Sequence, residues 1–169
     1  MTGSGHFLKE TLAVIRELED VDLFLSKAAA EVLKMYKQEL ALQKSIRVYR
    51  DTTASSVPVG QFYYGVYHTL IVAPATSNAV AKFVCGISDD LVSNVFAQSG
   101  KCRVPAIVFA CDTAPELVTE APKGMVKVYP RQIDLENRER LGRFAGATTV
   151  DSIGELRAAI ERRRAELPA

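Results

Sequence analysis

The stretch that most constrains this chain runs from Leu70 to Asn94. It begins Leu70-Ile71-Val72-Ala73, an apolar, partly β-branched run that suits a strand buried on both faces. Pro74 has no N–H to donate and is expected to stop the ladder. Ala75, Thr76, Ser77 and Asn78 follow, all small or polar, and a helical pattern starts behind them. The first N–H groups of a helix have no intrahelical partner and carry the positive end of its dipole, so a strand that turns through such residues into a helix is suited to an anion. Thr76 and Ser77 either cap the helix or hold a ligand, and none of the turn residues is bulky enough to keep a planar molecule away.

The same alternation of apolar runs and helical patterns recurs along the chain. Val21–Leu25 reads as a strand, followed by Ser26 and an Ala-rich helix over Ala28–Tyr36. Ile46–Tyr49 reads as a short strand, Val104–Ala110 as a buried one, Met125–Pro130 as another and Ala147–Val150 as the last. Ser152 and Glu155 have the spacing of a capping box at the start of a closing helix. The pattern predicts an α/β domain with a parallel sheet and helices on both faces. Phe62, Tyr63, Tyr64 and Tyr67 gather in a segment broken by Pro58, Gly60 and Gly65, and they can stack on a planar ligand or form an apolar seam between subunits.

At 169 residues the chain makes a single domain with a substantial core. Its formal net charge of +1 argues against a nucleic-acid footprint, and no apolar run approaches the length of a membrane span. Three cysteines without a CxxC pair read as reduced thiols of a cytoplasmic protein, not as a disulfide framework, a metal site or an iron–sulfur site.

Two linked blocks carry a family resemblance. Pro74-Ala75-Thr76-Ser77-Asn78-Ala79-Val80-Ala81-Lys82, followed by Gly86-Ile87-Ser88-Asp89-Asp90-Leu91-Val92-Ser93, resembles the signature of the flavoprotein family that includes the homo-oligomeric flavin-containing cysteine decarboxylases. The opening Thr2-Gly3-Ser4-Gly5-His6-Phe7 and the later Arg131-Gln132-Ile133-Asp134-Leu135-Glu136-Asn137 are similar to its archaeoflavoprotein and dihydromethanopterin reductase branch. The resemblance implies a three-layer Rossmann-like or flavodoxin-like fold and bound FMN. It also implies cofactor-binding roles for Gly3, Ser4, Gly5, His6, Ser26, Ala75, Thr76, Ser77, Asn78, Lys82 and Cys111, with the phosphate at Gly3-Ser4-Gly5 and Ser26 and the ring near Ala75–Asn78. Gly3 and Gly5 would let the backbone approach the ligand closely. Read without the resemblance, Ser26 is a helix cap and Cys111 a small core residue, although Cys111 and Asp112 end a strand where ligands gather in open α/β sheets.

The implied activity is reduction of a dihydromethanopterin-type pterin to its tetrahydro form, or electron transfer to a redox partner protein. The implied assembly is a homo-oligomer of trimers, with twelve or twenty-four subunits in the larger cages. A decarboxylase of a cysteine-containing substrate is the alternative, and two of its devices are missing: His68 does not occupy the place of the family's catalytic histidine, and Thr113–Val118 holds nothing like its substrate clamp. No catalytic residue is assigned. The family's central first strand should precede the Gly3-Ser4-Gly5 loop, so the resemblance further implies a segment upstream of residue 1.

Overall fold

The computed structural model describes residues 1–52 and 57–167. The chain runs α1 (Leu8–Arg16), β1 (Asp22–Leu25), α2 (Lys27–Met35), β2 (Arg47–Arg50), a 3-10 segment (Val57–Tyr64), β3 (Leu70–Ala75), α3 (Ser77–Cys85) and α4 (Leu91–Lys101). It continues through β4 (Ala106–Ala110), β5 (Leu117–Ala121), β6 (Gly124–Val128), α5 (Gln132–Leu141), β7 (Ala147–Val150) and α6 (Ile153–Ala165).

Alternation along the central strands divides the core into two faces. Ile71 and Ala73 of β3, with Ile107 and Phe109 of β4, pack with Val14 of α1 and Leu156, Ala159 and Ile160 of α6. Leu70, Val72 and Ala75, with Ala106, Val108 and Ala110, pack instead with Val80, Phe83 and Val84 of α3 and Leu91, Val92 and Val95 of α4. A period of two that is apolar on both sides is what a parallel sheet between two helical layers requires. The three-layer α/β arrangement is therefore as expected.

The sheet itself differs from a single continuous ribbon. β1 pairs with β2, and β3 pairs with β4, which pairs with β7; every one of these pairs is parallel. β1 and β3 are not hydrogen-bonded to each other. The N-terminus makes backbone hydrogen bonds to both blocks. The Met1 amine donates to the Phe24 carbonyl (2.8 Å) and Ser26 N–H donates to the Met1 carbonyl (3.2 Å) on one side, while Thr2 N–H donates to the Pro74 carbonyl (3.2 Å) on the other.

Two local expectations are corrected. Pro74 does not end its strand: the register shifts between Val72 and Ala75, and Ala75 pairs again with Ala110. Met125 lies in the second strand of an antiparallel hairpin, β5 against β6, and not in the parallel sheet. That hairpin is mostly exposed, so its sequence shows little of the apolar patterning by which the core strands announce themselves. It is fastened to the N-terminal region by Lys9 to Glu120 (2.7 Å) and by Tyr36 Oη to the Glu120 carbonyl (2.9 Å). In the aromatic segment Phe62 is buried against Tyr67, and Tyr63 and Tyr64 are exposed.

Candidate functional site

A cavity of about 360 Å³ opens where three helices begin. Thr2 and Gly3 form its floor, and Ser26, Lys27 and Ala28 come from the start of α2. Thr76, Asn78, Ala79 and Lys82 come from α3, and Asp89, Asp90 and Ser93 lie at the start of α4.

The first two helices are capped alike. Ser26 Oγ accepts from Ala29 N–H (3.0 Å), and Thr76 Oγ1 accepts from Ala79 N–H (3.2 Å). Each cap uses one acceptor lone pair and leaves the hydroxyl hydrogen to donate elsewhere. The N–H groups of Lys27 and Ala28, and of Ser77 and Asn78, belong to the first turns and have no intrahelical acceptor. Among the described residues, the Asn78 carboxamide and the Lys27 ammonium have no protein partner either. The two dipoles thus aim their positive ends, with several unspent donors, at one space.

The opposite wall is acidic. Lys82 Nζ lies between Asp89 Oδ1 (2.6 Å) and Asp90 Oδ2 (2.5 Å). Asp90 caps α4 by accepting from Ser93 N–H (2.8 Å), and Asp51 Oδ1 accepts from Leu91 N–H (3.3 Å). Partial burial works against the Lys82 charge, but its hydrogen bonds to Asp89 and Asp90 outweigh it and hold the ammonium above the usual lysine range. Burial likewise opposes the Asp90 charge, and the Lys82 and Ser93 hydrogen bonds prevail, holding the carboxyl below its usual range. The cavity therefore presents donors on one side and carboxylate acceptors on the other. This matches a ligand with an anionic group at one end and hydroxyl or N–H groups along its length.

Of the eleven residues expected to bind a cofactor, the fold brings Gly3, Ser26, Thr76, Asn78 and Lys82 to this cavity. Ser4, Gly5, His6, Ala75, Ser77 and Cys111 are not in its wall. Ala75 is fully buried in the core under it. Ser77 Oγ is hydrogen-bonded to Asp112 Oδ2. Ser4, His6 and Cys111 form a separate cluster beside the hairpin: Ser4 Oγ donates to the His6 carbonyl (3.2 Å), the Cys111 thiol lies 4.0 Å from the same carbonyl, and His6 Nδ1 is 2.7 Å from Thr119 Oγ1. Burial pushes the Cys111 thiol up to about 12, so it is a protonated core residue at neutral pH. Burial also lowers the His6 pKa against the opposing charges of Asp112 and Glu10, which favours the neutral imidazole.

The two glycines serve the protein's own packing. A Cβ on Gly3 would stand 2.5 Å from Ala28 Cβ and 2.8 Å from the Ala28 carbonyl carbon; one on Gly5 would stand 2.0 Å from Tyr36 Oη. Both let the N-terminal loop lie against α2. Sequence reasoning missed Thr2, whose Oγ1 donates to the Pro74 carbonyl (2.8 Å) and accepts from Thr76 N–H (2.9 Å), tying the loop to the cap of α3. It also missed Asp51, Thr52 and Ser93. A threonine at position 2 carries no local signal for such a role, because its partners stand more than seventy residues away.

The sequence profile of the Flavoprotein family matches residues 1–168. The chain belongs to the flavoprotein family. Its structure is similar to that of DmrB from Burkholderia xenovorans, solved in complex with FMN and described as a cubic protein cage for redox transfer. The two share 53% identity at a TM-score of 0.88, over 97% of this chain and 92% of that one. A dihydromethanopterin reductase (acceptor) of Methanosarcina mazei is 38% identical over 136 residues, covering 72% of this chain and 57% of the reductase. The chain thus spans little more than half of that relative. The phenylacrylic acid decarboxylase of Aquifex aeolicus, at 24% identity and a TM-score of 0.69, shares the fold.

Proposed function

We propose that this flavoprotein is an FMN-dependent oxidoreductase that passes reducing equivalents to a dihydropterin or to a partner redox protein. The observation that carries the reading is the cavity at the starts of α2 and α3, where unpaired backbone N–H groups, two hydroxyl hydrogens, Asn78 and Lys27 face one space. That donor set fits a phosphate monoester. The carboxylates of Asp51, Asp89 and Asp90 fit the hydroxyls and N–H groups of the remainder of FMN. The FMN-bound DmrB, at 53% identity, supports the same cofactor.

In this reading Ser26 and Thr76 orient the phosphate and keep their helices capped while doing so. Lys27 and Lys82 offset its charge, and Lys82, held by Asp89 and Asp90, keeps the acidic wall from repelling it. FMN, when bound, supplies the one- and two-electron chemistry. His6 lies outside the cavity wall, its Nδ1 2.7 Å from Thr119 Oγ1. The protein's part is to bind, to orient and to admit an acceptor.

The reductase of Methanosarcina mazei supports a pterin acceptor, and DmrB supports a homo-oligomer, built in our reading from trimers. The test is anaerobic: reduce the FMN-loaded protein, add a dihydropterin, and follow the flavin absorbance and the tetrahydropterin formed. Reoxidation with stoichiometric tetrahydropterin supports the reductase. Flavin that stays reduced with the pterin, yet reoxidises with a redox protein, leaves an electron carrier.

A further inference from the structure

The hairpin is covered unevenly. Along β5 exposure alternates: Leu117, Thr119 and Ala121 are half-buried, while Val118 and Glu120 face solvent. β6 does not alternate. From Gly124 to Lys127 every residue is exposed, Met125 at 66% and Val126 at 41%. Val126 stands in register with Thr119, so its side chain shares the face that His6 meets through Thr119 Oγ1.

The register shows which backbone groups each edge presents. Ala121 and Gly124 flank a two-residue turn and form a hydrogen-bonded pair, as do Thr119 with Val126 and Leu117 with Val128. The N–H and C=O groups of Val118 and Glu120 therefore point out of the β5 edge, and those of Met125 and Lys127 out of the β6 edge. The β5 edge lies against the rest of the protein, where Tyr36 Oη donates to the Glu120 carbonyl (2.9 Å). Among the described residues nothing bonds the outward groups of Met125 and Lys127. The ladder has no bulge, and no proline interrupts Gly124–Val128. Lys127 is the one charged side chain of β6, and Glu116 of the same chain already holds it (2.6 Å). An unbroken apolar edge whose one lysine is neutralised is a template for another strand. Two strands alone are marginal, and further strands are what make such a sheet stable.

We propose that β6 pairs edge to edge with β6 of a second copy about a twofold axis, giving one antiparallel sheet in the order β5-β6-β6-β5. The inference rests on the homo-oligomer of the proposed function and names the face that joins its copies. The edge fits a second copy in one register. With the axis at Val126, Met125 stands opposite Lys127 of the partner subunit and Lys127 opposite the partner's Met125, and each pair exchanges both backbone bonds. The two Val126 side chains then meet on the axis, a β-branched pair at the close spacing of a non-hydrogen-bonded site. An axis at Lys127 would set two like charges face to face, and one at Met125 would pair Lys127 with the turn residue Lys123. Glu116 and Tyr129 lie one step beyond the ladder pair Leu117–Val128. In the Val126 register they come level with Lys123 of the partner subunit, which brings a carboxylate and an aromatic ring to the row of an exposed ammonium. A twofold contact of this kind is also what links trimers into a closed assembly.

The test reads the mass of the full chain by analytical ultracentrifugation and needs no flavin. Val126→Lys and Val126→Glu each place like charges on the axis, and either alone is expected to lower the assembly mass about twofold or more. Mixing the two variants in equal amounts is expected to restore it, a recovery that a hairpin damaged by the substitutions would not give. Val126→Cys is expected to give a disulfide-linked dimer under mild oxidation, since residues facing at a non-hydrogen-bonded site stand about 4.5 Å apart at Cα, within disulfide range. Met125→Cys and the unsubstituted chain, with its exposed Cys85, are expected to give none. Charge variants that keep the full mass would overturn the proposal. So would a mixture that stays dissociated, or a cross-link at Met125 in place of Val126. In each of those cases an oligomeric parent chain leaves the homo-oligomer standing, whereas a monomeric parent chain would overturn both.

Discussion

Asn78 and Thr76 line the same cavity and differ in what else they do, and that difference makes them separable by mutation. Thr76 caps α3 and is held by Thr2, so Thr76→Val removes a cap as well as a donor. It is expected to cost about 1 kcal/mol of stability and to weaken FMN binding by about 10-fold. The Asn78 carboxamide makes no hydrogen bond to another described residue, so Asn78→Ala is expected to leave stability within about 0.5 kcal/mol while weakening FMN by a similar factor. Urea unfolding of the flavin-free protein and FMN titration check both. A contrast of the same kind holds for the two glycines. Gly3→Ala collides with the Ala28 backbone, which cannot move aside, and is expected to cost about 1–3 kcal/mol. Gly5→Ala meets the end of the Tyr36 side chain, which can swing away, and is expected to cost less, with Tyr36→Ala recovering most of the loss.

The helices and strands that carry the site were largely legible in the sequence, because their signals are local. Ser26, Thr76 and Ser152 are caps where the spacing placed them, and the apolar run at Leu70 and the one ending at Ala110 are strands. Of the hairpin only β6 was legible, as the strand read from Met125; β5 and the antiparallel pairing were not, since the hairpin gains its place from contacts with Lys9, His6 and Tyr36 and not from an apolar face. The division of the eleven expected residues between a cavity and a separate His6–Cys111 cluster was equally hidden, because it depends on which way each loop turns. The start of α4 offers a test by pH. Asp90 titrates below its ordinary value when folded, so its contribution is present at neutral pH and is lost as pH falls through the folded value. Lys82→Met takes away the main opposite charge, so the acid limb of the flavin-free protein's stability curve is expected to move to higher pH. An unmoved limb would show that the Asp90–Lys82 pair contributes nothing.

The molecule as a whole is two parallel blocks held by their helices and by two N-terminal residues. A chain whose mass confirms a free Met1 must bury that amine, whose pKa falls from 8.0 to about 5 on folding. Between those values the unfolded state binds the extra proton, so stability is fully present above pH 8 and declines as pH drops toward 5, by roughly 4 kcal/mol at most. An N-terminally acetylated form, which has no amine to protonate, is expected to lose that pH dependence over the same range. Parallel slopes would contradict the burial of the Met1 amine.

The central claim is that the cavity at the starts of α2 and α3 holds FMN. The most direct measurement is a titration of the flavin-free protein with FMN, followed by visible absorbance and by heat, run beside riboflavin. The account predicts a single site per chain for FMN and binding of riboflavin weaker by about 100-fold or more, since the phosphate contacts are charge-assisted. Equal affinity for the two would contradict a phosphate seated on Ser26 and Thr76, and a protein that bound neither would contradict the site itself.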